Sequence, residues 1–93
     1  MRLRVVSTAF AELAEIAEFI ARDNPDASRG VVRRIEEVFT RIKQFPYMAH
    51  PADTSDIRIY PVRPFPYLVF YSIEQDEIIV RNVRHEARRR SNR

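Results

Sequence analysis

Cysteine is absent from the chain, which excludes a disulfide framework and any thiolate-held metal. Two histidines, His50 and His85, lie far apart in the sequence, so no zinc site is expected either. A cysteine-free chain suits a reducing compartment. Gly30 is the only glycine, and no glycine-rich loop exists to cradle a phosphate or a dinucleotide. No apolar run approaches the ~20 residues of a membrane span, and Met1 leads into the charged stretch RLRVV where a signal peptide would carry an apolar core. A cytoplasmic location without membrane contact is therefore expected. No closely spaced carboxylate pair suggests hydrolase chemistry, and Asp53 and Asp56 read as turn formers in a loop. No cofactor and no metal are expected.

Lysine is nearly missing as well. Lys43 stands alone among sixteen basic residues, and arginine supplies the rest. The planar fork of arginine suits carboxylates, phosphates and base edges better than an ammonium does, although an arginine-favouring genome explains the same bias. The net charge of +3 is unevenly placed. Residues 9–24 hold Glu12, Glu15, Glu18 and Asp23 against Arg22 alone, whereas residues 78–93 hold six arginines against Glu86 alone. One acidic and one strongly basic stretch point to a charged partner.

What the chain does have is material for one core. Its hydrophobic share is 45%, with six Phe and four Tyr, and its 31% of charged residues carry both signs, which argues against disorder. A single domain over residues 1–93 is expected. RLRVV (2–6) alternates as a short strand. Ser7 or Thr8 then caps a helix whose apolar stripe runs through Phe10, Leu13, Ala14, Ala17 and Ile20. RDNPDA ends it, with Asn24 a good cap and Pro25 suited to the first position of a second helix reaching about Gln44. That helix shows core positions Val31, Ile35, Val38 and Ile42, and so short a break makes the two helices an antiparallel hairpin. Gly30 falls inside it, where it costs about 1 kcal/mol relative to alanine; a close helix approach would account for it.

Residues 45–56 read as a loop, marked by Pro46, Pro51 and a polar cluster. IRIYPV (57–62) is a strand that Pro61 restricts to an edge or a bulge. PYLVFYSI (66–73) is a central strand covered on both faces, EQDE a turn, and IIVRNV (78–83) the returning strand. The expected fold is α+β in the order β-αα-βββ: an N-terminal strand, an antiparallel helix hairpin, then a three-stranded antiparallel sheet with the helices on one face.

The first strand, the amphipathic helix, DNP, a second helix ending near FP, the run PYLVFY and the ending VRHEARR together resemble the ParE/RelE superfamily of bacterial toxins, over essentially the whole chain. DNP alone is a weak signal; the order and spacing of all the pieces carry the likeness. The resemblance implies a toxin of a type II toxin–antitoxin pair, a cognate antitoxin (ParD-like, encoded adjacently) that wraps and blocks it in a hetero-oligomer, and one of two targets. These are DNA gyrase for the ParE branch and ribosome-bound mRNA for the RelE branch.

The two branches make different chemical demands. RNA cleavage of the RelE kind moves a 2′-OH onto the neighbouring phosphorus, which needs a base, an acid and cations for the crowded phosphate. RNases of that branch typically place an arginine at the start of the central strand, and that place falls at Leu68 here. A lysine-rich stretch found in several of them is missing. The resemblance therefore favours the ParE-like branch, a gyrase inhibitor with no catalytic residues. The alternative is an mRNA interferase using His85, Arg84 and Arg63. A third reading is a non-toxic module that only binds nucleic acid or its partner.

The candidate target-binding residues are Arg58, Arg81, Arg84, His85, Arg88, Arg89 and Arg90. Each has an ordinary alternative: a solvated tail for Arg84 and the last three, an outward-facing sheet arginine for Arg58 and Arg81, and a hydrogen bond at a strand end for His85. Candidate antitoxin-binding residues are Phe19, Phe45, Tyr47 and Tyr60, with core membership as the alternative, and the acidic first helix could meet basic residues of the antitoxin. Tyr71 reads as core.

Overall fold

The computed structural model of the chain describes residues 1–52 and 55–87. Its elements are β1 (Arg2–Val5), α1 (Ser7–Ala21), α2 (Pro25–Gln44), β2 (Arg58–Pro61), β3 (Tyr67–Glu74) and β4 (Glu77–His85). The expected β-αα-βββ order is the order found, with the helices packed against the sheet.

The strands lie in the spatial order β1-β4-β3-β2. β3 pairs antiparallel with both β2 and β4, which gives the expected three-stranded antiparallel unit. β1 extends it as a fourth strand, parallel to β4, with Leu3 opposite Ile78 and Val5 opposite Val80. The first and last strands of the chain are therefore neighbours. β2 is an edge strand that ends in Pro61, where the missing N–H of proline does least harm. The turn between β3 and β4 is two residues long, Gln75 and Asp76, both at positive φ (52° and 62°), a geometry whose twist matches that of the flanking strands.

The core lies on the helix-covered face of the sheet. Val31, Ile35, Val38 and Ile42 of α2 are buried at the four-three-four spacing of its inner stripe. They meet Val69 and Tyr71 of β3 and Ile78, Val80 and Val83 of β4. A bulge between Phe70 and Tyr71 shifts the register so that Asn82 faces Phe70 while Val80 faces Tyr71, leaving Arg81 as the extra residue. The Tyr71 hydroxyl, fully buried, donates to the Pro46 carbonyl at 2.8 Å and ties the loop after α2 to the sheet.

Three local expectations are corrected. Neither Ser7 nor Thr8 caps α1: both lie inside its first turn, and the cap position is Val6, with no side-chain cap bond, because Val6 is still tied to the sheet through Val80 (N–H to O, 3.1 Å). Gly30 does not permit a close helix approach, since a Cβ there would meet nothing within 4 Å. The last strand runs past Val83 to His85, because β3 begins with Tyr67 and Leu68 opposite His85 and Arg84. At the other cap the expectation holds: the Asn24 side chain accepts from the Ala27 N–H at 3.0 Å and Pro25 opens α2. Ser28 Oγ donates to the Ala17 carbonyl at 2.7 Å and joins the two helices where they meet. Among the described residues, no helix is long and apolar enough to cross a membrane.

Candidate target and partner surface

β1 accompanies β4 only as far as Val80. From there the chain turns into α1, which runs beside the rest of β4 and contacts it directly. The last residues of β4 thus have β3 on one side and a helix on the other. The Glu86 N–H donates to the Pro66 carbonyl at 2.8 Å, so by alternation Leu68 and Arg84 form the next hydrogen-bonded pair, and the backbone groups of Val83 point the opposite way, toward α1. No strand among the described residues meets them. The Val83 N–H instead donates to the Glu12 carboxylate at 3.0 Å.

The same carboxylate accepts from Asn82 Nδ2 (3.2 Å) and from Arg84 Nε (3.3 Å). An ionised carboxylate has acceptor sites for about four donors, so one side chain satisfies a strand edge, an amide and a guanidinium together. Glu12 is largely covered, its side chain 17% exposed. Beyond Arg84, the His85 ring stands edge-on to Tyr67, with centroids 5.4 Å apart and planes at 86°. Its Nδ1 accepts from the Ala87 N–H at 3.0 Å, which places the ring proton on Nε2.

Between α1 and this strand end lies a groove of about 580 Å³. Its helical wall carries Glu15, Ile16, Glu18, Phe19 and Arg22, and its sheet wall Tyr67, Val83, Arg84 and His85. Desolvation in this wall raises the Tyr67 phenol above its ordinary value of 10.0.

A family model described as ParE toxin of type II toxin-antitoxin system, parDE, matches residues 3–90. The chain belongs to the ParE toxin family. ParE membership implies a cognate antitoxin. A candidate toxin of Sinorhizobium fredii, Y4kP, is 31% identical over 75 residues, spanning 81% of this chain and 78% of the relative. Among solved structures, the chromosomal ParDE system of P. aeruginosa aligns with a TM-score of 0.81 at 18% identity, covering 91% of this chain and 95% of that one. A YoeB/ParE toxin of Agrobacterium tumefaciens aligns at 0.63 and 14% identity, over 91% of this chain and 98% of that one. Both are likenesses of fold.

Within this ParE fold the residues singled out from sequence fall into separate places. Arg84 and His85 meet at the groove, and Phe19, expected for the antitoxin, faces the same space. Arg81 sits on the bulge, where its Nε donates to Ser72 Oγ at 2.9 Å and its terminal nitrogen pairs with Glu74. The Arg81 hydrogen bond, followed by that of Ser72, lowers the Glu74 carboxyl below the usual range. Arg58 donates to the Ala49 carbonyl and lies 5.2 Å from the Tyr47 ring centre, so a target candidate and an antitoxin candidate form one stacked pair. Arg63 does not join His85 in the groove: its guanidinium pairs with Glu86 at 3.1 Å, and its carbonyl accepts from Arg34 Nε.

Phe45 is exposed with Arg41 over its ring, whereas Tyr60 is half-buried against the core. Phe19 and Phe45 do not form one patch. They lie at opposite ends of the helix pair, separated by the length of α2, ~30 Å at 1.5 Å per residue. Arg88, Arg89 and Arg90 lie outside the described residues. One group that organises the groove, Glu12, carries no site signal of its own in the sequence. The helical spacing marks Glu12 only as a solvent-side residue, and its role depends on which strand lies beside β1.

Proposed function

We propose that this ParE-family toxin acts by binding DNA gyrase and trapping its cleaved DNA complex, with no covalent chemistry of its own, until a ParD-like antitoxin encoded beside it covers it in a hetero-oligomer. Target contact centres on Arg84 and His85 at the end of β4, extended by Arg81 and Arg58 along the sheet and by Arg88, Arg89 and Arg90 beyond it. Phe19, Phe45, Tyr47 and Tyr60 are the antitoxin-side candidates. The observation that carries this reading is Leu68. It is 7% exposed and paired in register with Arg84, so an aliphatic residue holds the strand position opposite Arg84 where phosphoryl transfer would call for a second cation.

The remaining groups support the same reading. Arg63 is engaged with Glu86, and the Arg84 Nε is engaged with Glu12, which orients the guanidinium and leaves its terminal nitrogens without a partner among the described residues. Arginine with fixed orientation suits an acidic protein surface or a DNA phosphate. The test is direct. Purified toxin is expected to inhibit supercoiling by gyrase, accumulate cleaved DNA, and leave mRNA on translating ribosomes intact. Codon-spaced cleavage of mRNA with gyrase unaffected would overturn the assignment.

A further inference from the structure

Among the described residues, six large hydrophobic side chains are exposed, and half of them, Phe45, Tyr47 and Met48, fall in one turn after α2. Two carry a guanidinium on the ring: Arg41 lies 5.5 Å from the Phe45 ring centre and Arg58 5.2 Å from that of Tyr47. Phe45 still has 52% of its surface open and Tyr47 61%, so each ring keeps a face to offer. The charge around them is of one sign. Residues 38–52 hold Arg41 and Lys43 and no carboxylate, and the contact of Arg58 with Tyr47 and Ala49 adds a third cation. None of the three forms an ion pair with a described residue, Asp56 included, whereas Arg4, Arg29, Arg34, Arg63, Arg81 and Arg84 each meet a carboxylate. The turn is also held in place. The Met48 N–H donates to the Phe45 carbonyl at 3.1 Å, the buried Tyr71 hydroxyl donates to the Pro46 carbonyl, and the Arg58 guanidinium donates to that of Ala49.

We propose that this turn is a binding site for single-stranded nucleic acid, with bases stacking on the open faces of Phe45 and Tyr47 and phosphates meeting Arg41, Lys43 and Arg58. Flat rings held on one side by a guanidinium present the surface that an unpaired base covers, and cations one side chain away answer the charge each nucleotide carries. A duplex keeps its base faces stacked inside, so it offers the same residues only phosphates. An acidic peptide would answer the cations but bring no planar partner for the rings. A bilayer asks for more apolar surface than three side chains supply, since even one acyl chain holds a membrane only marginally. The site lies at the end of α2 and is separate from the groove that Arg84 and His85 line. It does not depend on which target the toxin has. Phe45 and Tyr47 gain a ligand in the free toxin, ahead of any antitoxin that covers them.

The experiment uses the full-length toxin and fluorescence anisotropy with a labelled oligodeoxythymidylate of about ten nucleotides, beside a duplex of the same length. DNA is the probe so that no ribonuclease activity consumes it. Phe45→Ala combined with Tyr47→Ala is expected to weaken single-strand binding about tenfold or more while leaving duplex affinity and the thermal midpoint unchanged. Phe45→Leu with Tyr47→Leu keeps the apolar bulk without the π-face and is expected to lose nearly as much; it carries the test if the alanine pair disturbs folding. Arg41→Gln with Lys43→Gln should weaken single-strand binding severalfold and flatten its dependence on salt. Arg29→Gln with Arg33→Gln removes the same charge from exposed positions near the start of α2 and is the control, expected to change affinity by less than about twofold. No binding by the wild-type toxin overturns the proposal, as does wild-type affinity in either aromatic pair. An equal loss for single strand and duplex overturns it, and so does an equal loss for the control, which would mean a diffuse field with no stacking site. Capture of a polyglutamate peptide or of phosphatidylserine vesicles with the oligonucleotide left unbound overturns it too, and assigns the turn to an acidic protein or a lipid. Gyrase is absent from every arm, so the supercoiling assay and this one succeed or fail separately.

Discussion

Gly30 sits in the middle of α2 with open space where a side chain would begin. Its backbone is helical, and it has neither a positive φ nor a close neighbour that would require glycine. Gly30→Ala should therefore stabilise the fold by about 0.5–1 kcal/mol, read as a higher urea midpoint at unchanged slope. Tyr71 is the opposite case. Its ring fills the core and its hydroxyl satisfies the Pro46 carbonyl, so Tyr71→Phe should destabilise by about 1–3 kcal/mol. Burial raises the Tyr71 phenol above its ordinary value of 10.0, with the nearby Arg58 opposing. The folded state thus keeps the proton that the unfolded chain releases, and stability should fall as pH rises above about 10. Urea midpoints between pH 9 and 11 should show this decline in the wild type and a weaker one in Tyr71→Phe. At this scale the sequence reads well where identity decides the outcome. A tyrosine in an apolar strand belongs in the core, but nothing local reveals that its hydroxyl finds a carbonyl beyond the end of α2.

Among the elements, α2 is the most legible. Asn24, Pro25 and four apolar residues in helical period mark its start and its buried face, and the structure has both. β4 is less so. Its apolar alternation fades at Val83, yet the strand continues to His85, because β3 supplies the partners from Tyr67 onward. The free side of that extension is closed by Glu12 in place of a strand, which removes an unpaired edge that would otherwise invite association. Glu12→Gln keeps the shape but sets an amide against donors. It should cost about 1–2 kcal/mol and raise the hydrogen-exchange rate of the Val83 amide above that of the amides pairing β3 with β4. An unchanged Val83 amide would show that α1 alone shields the edge. The same substitution releases Arg84, so a change in target inhibition without loss of fold would assign Glu12 a positioning role.

For the whole molecule, the acidic and basic stretches seen in the sequence are not two separate ends. The parallel pairing of β1 with β4 lays α1 beside the last strand, and Glu12 meets Arg84 across 72 positions of the chain. Target and antitoxin candidates converge on one groove at Arg84, His85 and Phe19, while Arg58 with Tyr47 and Arg81 with Glu74 sit elsewhere on the sheet. If Arg84 is the principal contact, Arg84→Ala should weaken gyrase inhibition about tenfold or more, whereas His85→Ala should weaken it only severalfold. Loss of toxicity on His85→Ala alone, with the protein still folded, would instead favour acid–base chemistry. Supercoiling assays beside growth assays on both variants check this.

Local information was enough for the helices, the four strands and their order along the chain, since period, caps and turn residues act within a few positions. It was also enough for the likeness to ParE toxins, which is a likeness of pieces and spacing. The placement of the first strand came only with the tertiary structure, because a four-residue strand can pair at either edge of a sheet with equal local propensity. From that placement follow the Glu12 bond network and the groove itself, while the length of the last strand follows from its pairing with β3. Long-range pairing decided them, and no short stretch of sequence encodes which distant backbone a donor will meet.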